Sequence, residues 1–194
     1  ATDSFRLAEK KVKIKKSKDF GSILIPFKNI SEIIRVVEKA DGDVKVTLSK
    51  NQISCEFENT YLVSRVIDGV FPDYRQIIPK ESKTSVIVLK QDLVQALKIS
   101  NIFSDKFNQV HVKIDKEFEI NTKNNDVGDT INQIESVIEG EPIEVNFNQK
   151  YITDCFQSIE SDSLSLVFNG ANKPVVIRSV PDTSFIYIVM PMNR

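Results

Sequence analysis

The stretch SILIPFKNISEIIRVVEKA, residues 22–40, changes its period in the middle. SILIPF (22–27) is a short apolar run of the kind a buried strand carries. From Asn29 onward, Ile30, Ile33, Ile34 and Val37 recur at steps of three and four, which predicts a helix with one apolar stripe. Three further strands are predicted to follow, at VKVTL (44–48), ISCEF (53–57) and YLVSRVID (61–68).

The same order recurs twice. SVIVL (85–89) leads into the helix QDLVQALKIS, then VHVKI (110–114), FEINT (118–122) and one long strand near 130–139. IEVNF (143–147) leads into NQKYITDCFQSI, then LSLVF (164–168), VVIRS (175–179) and FIYIVMP (185–191). Helix onsets near 28, 90 and 148 are spaced by 62 and 58 residues, with little residue identity between the units. Each unit reads as β-α-β-β-β, so its sheet is largely antiparallel and its helix must cover one face. Two units paired by pseudo-twofold symmetry make a domain of about 110 to 130 residues. The expected fold class is therefore α+β, with two helices per domain packed against antiparallel sheets. Residues 84–194 supply one pair. Residues 1–83 supply one unit and a preceding strand, ATDSFRLAEKKVKIKK, with no partner strand before it, as in a piece cut from a longer protein. The polar PKESKT (79–84) reads as the linker.

Composition narrows the class. In 194 residues, 41% apolar and 27% charged is a globular profile, and no apolar run approaches the roughly 20 residues of a membrane span. No signal peptide opens the chain, so a cytoplasmic setting is expected. Cys55 alternates with Ile53 and Phe57, and Cys155 shares a helical face with Ile152, Phe156 and Ile159; both read as small buried apolar residues. A net charge of -1 excludes a simple polybasic nucleic-acid binder but allows charge segregated onto one face. Lys28, Arg35, Lys39, Lys90, Lys98 and Lys150 lie off the core stripes of the helices and their approaches, and Lys106 follows the second helix. A chain of similar domains joined with constant rotation closes into a ring, which would turn these helices to one common side. The run KKVKIKKSK (10–18) reads either as a phosphate track or as an edge strand carrying lysines against aggregation.

Catalytic chemistry has little support. There is no GxGxxG, Walker loop, CxxC pair or HExxH, and no cofactor is implied. His111, the one histidine, points opposite Val110, Val112 and Ile114 and reads as an exposed sheet residue. Asp73, beside Tyr74 and Arg75, is the best polar cluster near an aromatic, yet no second carboxylate stands at a defined spacing. An enzyme with a dispersed carboxylate site and a scaffold unrelated to DNA remain as rivals. In the tail, Met190 and Met192 flank Pro191, which cannot extend a sheet ladder; the two thioethers either plug the core or line a groove that another molecule fills.

Three segments together are specific: TDSFRLA (2–8), VFPDYRQIIP (70–79) and YIVMPM (187–192). With their order and spacing, the chain resembles the second and third domains of the bacterial DNA polymerase III beta subunit, the sliding clamp. That resemblance implies the DNA clamp fold and a homodimeric ring of six domains lined by helices, with duplex DNA through the hole and no catalytic activity of its own. It also implies a hydrophobic cleft between the two domains, which takes short peptides carrying Gln and a Leu-Phe type pair. The peptides come from the DNA polymerase III catalytic subunit, the clamp loader, other polymerases and mismatch repair proteins.

Carried onto this sequence, the cleft would comprise Thr2, Ser4, Phe5, Arg6 and Leu7, then Pro72, Tyr74, Gln76 and Ile77, with Phe107, Asn148, Tyr151, Pro174, Val189, Met190, Pro191 and Met192. Ile102 and Phe103, apolar at a helix end, are the candidates for the dimer contact. Several positions depart from the pattern. Ser4 and Phe5 stand where many members carry Gly and His, Gln76 where Arg is common, and the chain ends Asn193-Arg194 rather than Arg-Leu.

Overall fold

The computed structural model describes residues 1–14, 21–79 and 81–192. The chain forms two compact units, one of Ala1–Lys13 with Arg75–Arg194 and the other of Ile14–Tyr74. These differ from the segments 1–83 and 84–194 in two ways: the first thirteen residues pack with the C-terminal part, and the division falls after Tyr74. Lys15, Lys16 and Lys18 of the basic run, Lys80 of the linker, and Asn193 and Arg194 lie outside the described residues.

In the smaller unit, helix α1 (Phe27–Val37) precedes strands β2 (Lys45–Leu48), β3 (Gln52–Phe57) and β4 (Thr60–Arg65), which form an antiparallel sheet in sequence order. Cys55 and Phe57 are buried on β3 as their alternation predicts, and Asn29 Nδ2 donates to Ser64 Oγ at 3.0 Å, tying α1 to β4. The expected strand at 22–27 is reduced to a single bridge between Leu24 and Ile67. Pro26 caps α1 at φ -58, ψ 130 and has no N–H for a ladder, so the extended run ends there.

The larger unit opens with β1 (Arg6–Lys10). Strand β5 (Thr84–Leu89) runs directly into α2 (Lys90–Ile102), followed by β6 (Gln109–Ile114), β7 (Phe118–Asn124), β8 (Gly128–Ile134) and β9 (Ser136–Gly140). Strand β10 (Ile143–Asn148) runs into α3 (Gln149–Thr153), and β11 (Ser163–Phe168), β12 (Val175–Ser179) and β13 (Phe185–Val189) complete it. Two antiparallel sheets result, in the orders β1-β13-β12-β11-β5-β9 and β10-β6-β7-β8. The core between sheets and helices holds Leu93 and Leu97 of α2, Ile152 of α3, Phe118 and Phe147, all at most 4% exposed.

The opening strand, read as having no partner before it, finds one at the far end of the chain: β1 pairs with β13 in the register Arg6↔Val189 to Lys10↔Phe185. Two expectations change here. The long strand near 130–139 is two strands that break at Glu135, because β8 pairs with β7 in one sheet and β9 with β5 in the other. The helix at 148–159 is regular only to Thr153, then tightens into a 3₁₀ turn at Phe156–Ser158. Thr153 Oγ1 donates back to the Lys150 carbonyl at 3.1 Å, and Thr, Asp and Cys are weak helix formers in succession.

Candidate functional site

The tail is built outward from the β1–β13 ladder. One step past Arg6↔Val189, the Met190 N–H donates to the Phe5 carbonyl at 2.8 Å; two residues on, the Met192 N–H donates to the Asn146 carbonyl of β10 at 2.8 Å. Pro191, with no donor, falls between the two donors that are used. Met190, Pro191 and Met192 are half-buried and lie outside the buried core, while Val189, Leu7 and Pro174 are buried. The methionines therefore present part of their surface to solvent.

Residues 2–6 make a tight turn around Asp3. Its carboxylate accepts the N–H groups of Phe5 and Arg6 at 3.2 and 3.1 Å and the Arg6 Nε at 2.8 Å, while the Thr2 hydroxyl donates to the Arg6 carbonyl at 2.8 Å. Ser4 is driven to φ 75, the left-handed region. That is the physical reason a glycine suits this position. Burial acts to raise Asp3, but the hydrogen bonds from Arg6 and Phe5 outweigh it and hold the carboxyl below its ordinary value. Desolvation likewise acts against the Arg6 cation, yet bonds to Asp3 and Asp154 hold its pKa above the ordinary value.

Arg6 and Phe5 both address Tyr151. The guanidinium carbon stands 4.7 Å from the Tyr151 ring centre, and the Phe5 ring stacks at 5.7 Å and 22°. Tyr187 Oη donates to the Tyr151 carbonyl at 2.9 Å, and burial pushes the Tyr187 hydroxyl up to about 12. Asn148 joins two segments: its Oδ1 accepts the Lys150 N–H at 3.0 Å, capping α3, and its Nδ2 donates to the Phe107 carbonyl at 3.1 Å. Phe107 is 55% exposed, on a turn where Asp105 accepts its N–H at 2.9 Å. Thr2, Ser4, Phe5, Arg6, Leu7, Phe107, Asn148, Tyr151, Pro174, Val189, Met190, Pro191 and Met192 thus belong to one compact unit, as do the exposed Gln76 and Ile77. Pro72 and Tyr74 belong to the other, where the Tyr74 N–H donates to the Pro72 carbonyl at 2.7 Å and Phe71 meets Tyr74 edge-on. Asp3, Asp154 and Tyr187 are supports the sequence reading missed. The Asx-turn potential of Asp3 was visible in TDSFR; the partnership of Arg6 with Asp154, 148 residues away, had no local signal.

Of the cations expected on one side, Lys28, Lys39, Lys98 and Lys150 are exposed. Arg35 is exposed but paired with Glu32 one turn earlier. The Lys90 ammonium donates to the Ile159 carbonyl, so it holds the end of the α3 segment to the start of α2. Ile102 is 67% exposed at the end of α2, Phe103 is half-buried, and β8 beside them is a sheet edge carrying Ile131, 68% exposed. His111 departs from the exposed residue expected: it is half-buried, with Nδ1 2.9 Å from Asn146 Oδ1. Cys55 and Cys155 are buried thiols, the latter pushed up to about 12 by burial. Among the described residues no three His, Cys, Asp or Glu side chains are grouped to hold a metal.

Antiparallel sheets backed by short helices make up both units, and solved sliding clamps superpose on the chain. The crystal structure of the DNA polymerase sliding clamp from Bacillus subtilis matches with a TM-score of 0.94 at 28% identity, covering 100% of this chain and 53% of that one. The sequence pattern of the DNA polymerase III beta subunit, central domain, matches residues 1–73, and that of its C-terminal domain matches residues 75–193. The chain belongs to the DNA polymerase III beta subunit family. The beta sliding clamp of Bacillus subtilis is 28% identical over 199 residues, and that of Rickettsia bellii 30% over 210, each aligned with 100% of this chain. The chain spans about half the length of these relatives, 53% and 55%.

Proposed function

We propose that the chain is the middle and C-terminal part of a bacterial sliding clamp. In this reading a non-catalytic homodimeric ring holds duplex DNA in its hole and docks the DNA polymerase III catalytic subunit, the clamp loader, other polymerases and mismatch repair proteins. Family membership supports the clamp reading, and weak cations suit it: scattered lysines attract phosphates without reading bases, so the ring can slide. The cytoplasm is the matching compartment, and no helix of the described residues is long and apolar enough to cross a membrane.

The observation that carries the docking surface is the half-exposed Met190-Pro191-Met192 segment, pinned between Phe5 and Asn146 and flanked by the Phe5–Tyr151 stack. Flexible thioethers beside rigid aromatic walls suit a surface that accepts several peptides. Pro72, Tyr74, Gln76 and Ile77 join it on the resemblance alone. A labelled Gln-Leu-Phe type peptide should bind, and Met190→Ala should weaken it by about 1 to 3 kcal/mol. Unchanged affinity would reduce Met190 to packing. Retention of the full-length protein on circular but not linear DNA separates a clamp from an enzyme or an unrelated scaffold.

A further inference from the structure

Beside Met192 lies a cavity of about 390 Å³ lined by His111, Glu144, Val145, Asn146, Ala171, Asn172 and Met192. Glu144 and Asn146 are two apart on β10 and so share a face, and His111 of β6 stands opposite Asn146 in the register. Asn146 Oδ1 only accepts hydrogen bonds, so the 2.9 Å contact requires the proton on His111 Nδ1. In the neutral ring Nε2 then carries a lone pair, and it faces Glu144 Oε2 at 3.6 Å. In that tautomer two acceptors face one another and, among the described residues lining the cavity, no donor stands between them, an arrangement that an N–H cation completes.

The other charges nearby do not complete it. Lys113, opposite Glu144 in the register, turns its ammonium toward Glu119, 3.9 Å away. Asp105, Lys106, Lys123 and Asp126 line a different cavity, on the side of His111 away from β10, as two carboxylates and two ammonium groups. Among the described residues that line the Met192 cavity, the one full charge is the Glu144 carboxylate.

We propose that this cavity is a cation subsite, taking a lysine or arginine side chain of a docked peptide between His111 Nε2 and Glu144. It rests on the docking reading above, because Met192 is shared by the two. A flank of the peptide that passes Met192 reaches Glu144, so partners with a basic residue next to their apolar anchor are selected over partners with an acidic one.

The test uses labelled peptides with one Gln-Leu-Phe type core and Lys, Ala or Glu at each of the three positions on either side. At one flanking position the Lys peptide should bind about three- to tenfold tighter than the Ala peptide, and the Glu peptide weaker still. Glu144→Gln, checked for an unchanged melting temperature, should erase the Lys advantage and leave the Ala peptide unaffected. A readout free of substitution is the 15N signal of His111 Nε2, the only histidine in the chain, which should move with the Lys peptide and not with the Glu peptide. Equal affinities at every position, or a Lys advantage that survives Glu144→Gln, would overturn the subsite while leaving docking intact. A Lys advantage seen only after Arg194→Ala would also overturn it, by giving the cavity to the chain's own tail. If no peptide binds, the docking reading itself fails and the subsite with it.

Discussion

Ser4 sits at φ 75 because the Asp3 carboxylate collects the next two N–H groups and bends the chain back before β1. A side chain with a Cβ is disfavoured there by about 1 to 2 kcal/mol, so Ser4→Gly should raise stability by about 0.5 to 1 kcal/mol after the greater freedom of Gly in the unfolded chain is counted. A urea titration at fixed pH measures this, and a lower midpoint would mean that the Ser4 side chain does more than tolerate the turn. At the other end of β1, Lys10 pairs with Asp182 at 3.0 Å, and Asp182 also accepts the Ser184 N–H at 2.7 Å. Bonds from Ser184 first, then Lys10, hold Asp182 down at about 2 from an ordinary 3.8. A depressed carboxylate stabilises the fold above the unfolded value and loses that contribution as pH falls through the folded one. Between pH 4 and pH 2, about the window set by those two values, Asp182→Asn should therefore flatten the loss of stability seen in the parent protein; parallel curves would show that the bonds to Asp182 are not linked to folding.

At the level of elements, the bend that divides one predicted strand into β8 and β9 is followed by a close approach. Gly140 ends β9 at φ 110, opposite Thr84 in the register, and a Cβ placed on it would lie 1.9 Å from the Lys83 carbonyl oxygen. That oxygen belongs to backbone and cannot swing aside, so Gly140→Ala should cost on the order of 3 kcal/mol or more and release β9 from β5. Gly42→Ala, where a Cβ meets nothing within 4 Å, is the control and should change stability little. Loss of β9 amide protection in hydrogen exchange locates the damage, and full protection in a stable variant would contradict the reading. Much of this architecture was legible. The direct passage from β5 into α2, and from β10 into α3, followed from a change of period that needs no tertiary information. What was not legible depends on partners: the pairing of Arg6 with Val189, the break at Glu135 forced by two different sheets, and the shortening of the strand before Pro26. The tail methionines were legible as something to be covered. The Phe5–Tyr151 stack beside them was not, because residues 5 and 151 meet only through the β1–β13 ladder and the start of α3.

For the whole molecule, the proposed ring closure and the proposed peptide docking make separate demands on the larger unit. The ladder β1-β13 that supports the methionines lies in one sheet, whereas β8 is an edge strand of the other, paired along one side only among the described residues. An open edge flanked by Ile131, 68% exposed, and Ile102, 67% exposed, is an aggregation hazard unless something covers it. In the proposed ring that cover is the next subunit, and β7 separates the surface from His111 and Glu144 of the proposed subsite on β6 and β10. A charge at each apolar position should then weaken the dimer without touching the cleft. In the full-length protein, Ile102→Asp with Ile131→Lys should weaken self-association by about a hundredfold, on the order of 3 kcal/mol, in sedimentation velocity. Retention on circular DNA should fall in parallel, while the affinity for a Gln-Leu-Phe type peptide stays the same. A variant that remains dimeric and retained would mean that the β8 edge faces solvent in the ring and that closure is made elsewhere; one that loses peptide binding as well would mean that the two surfaces are not independent.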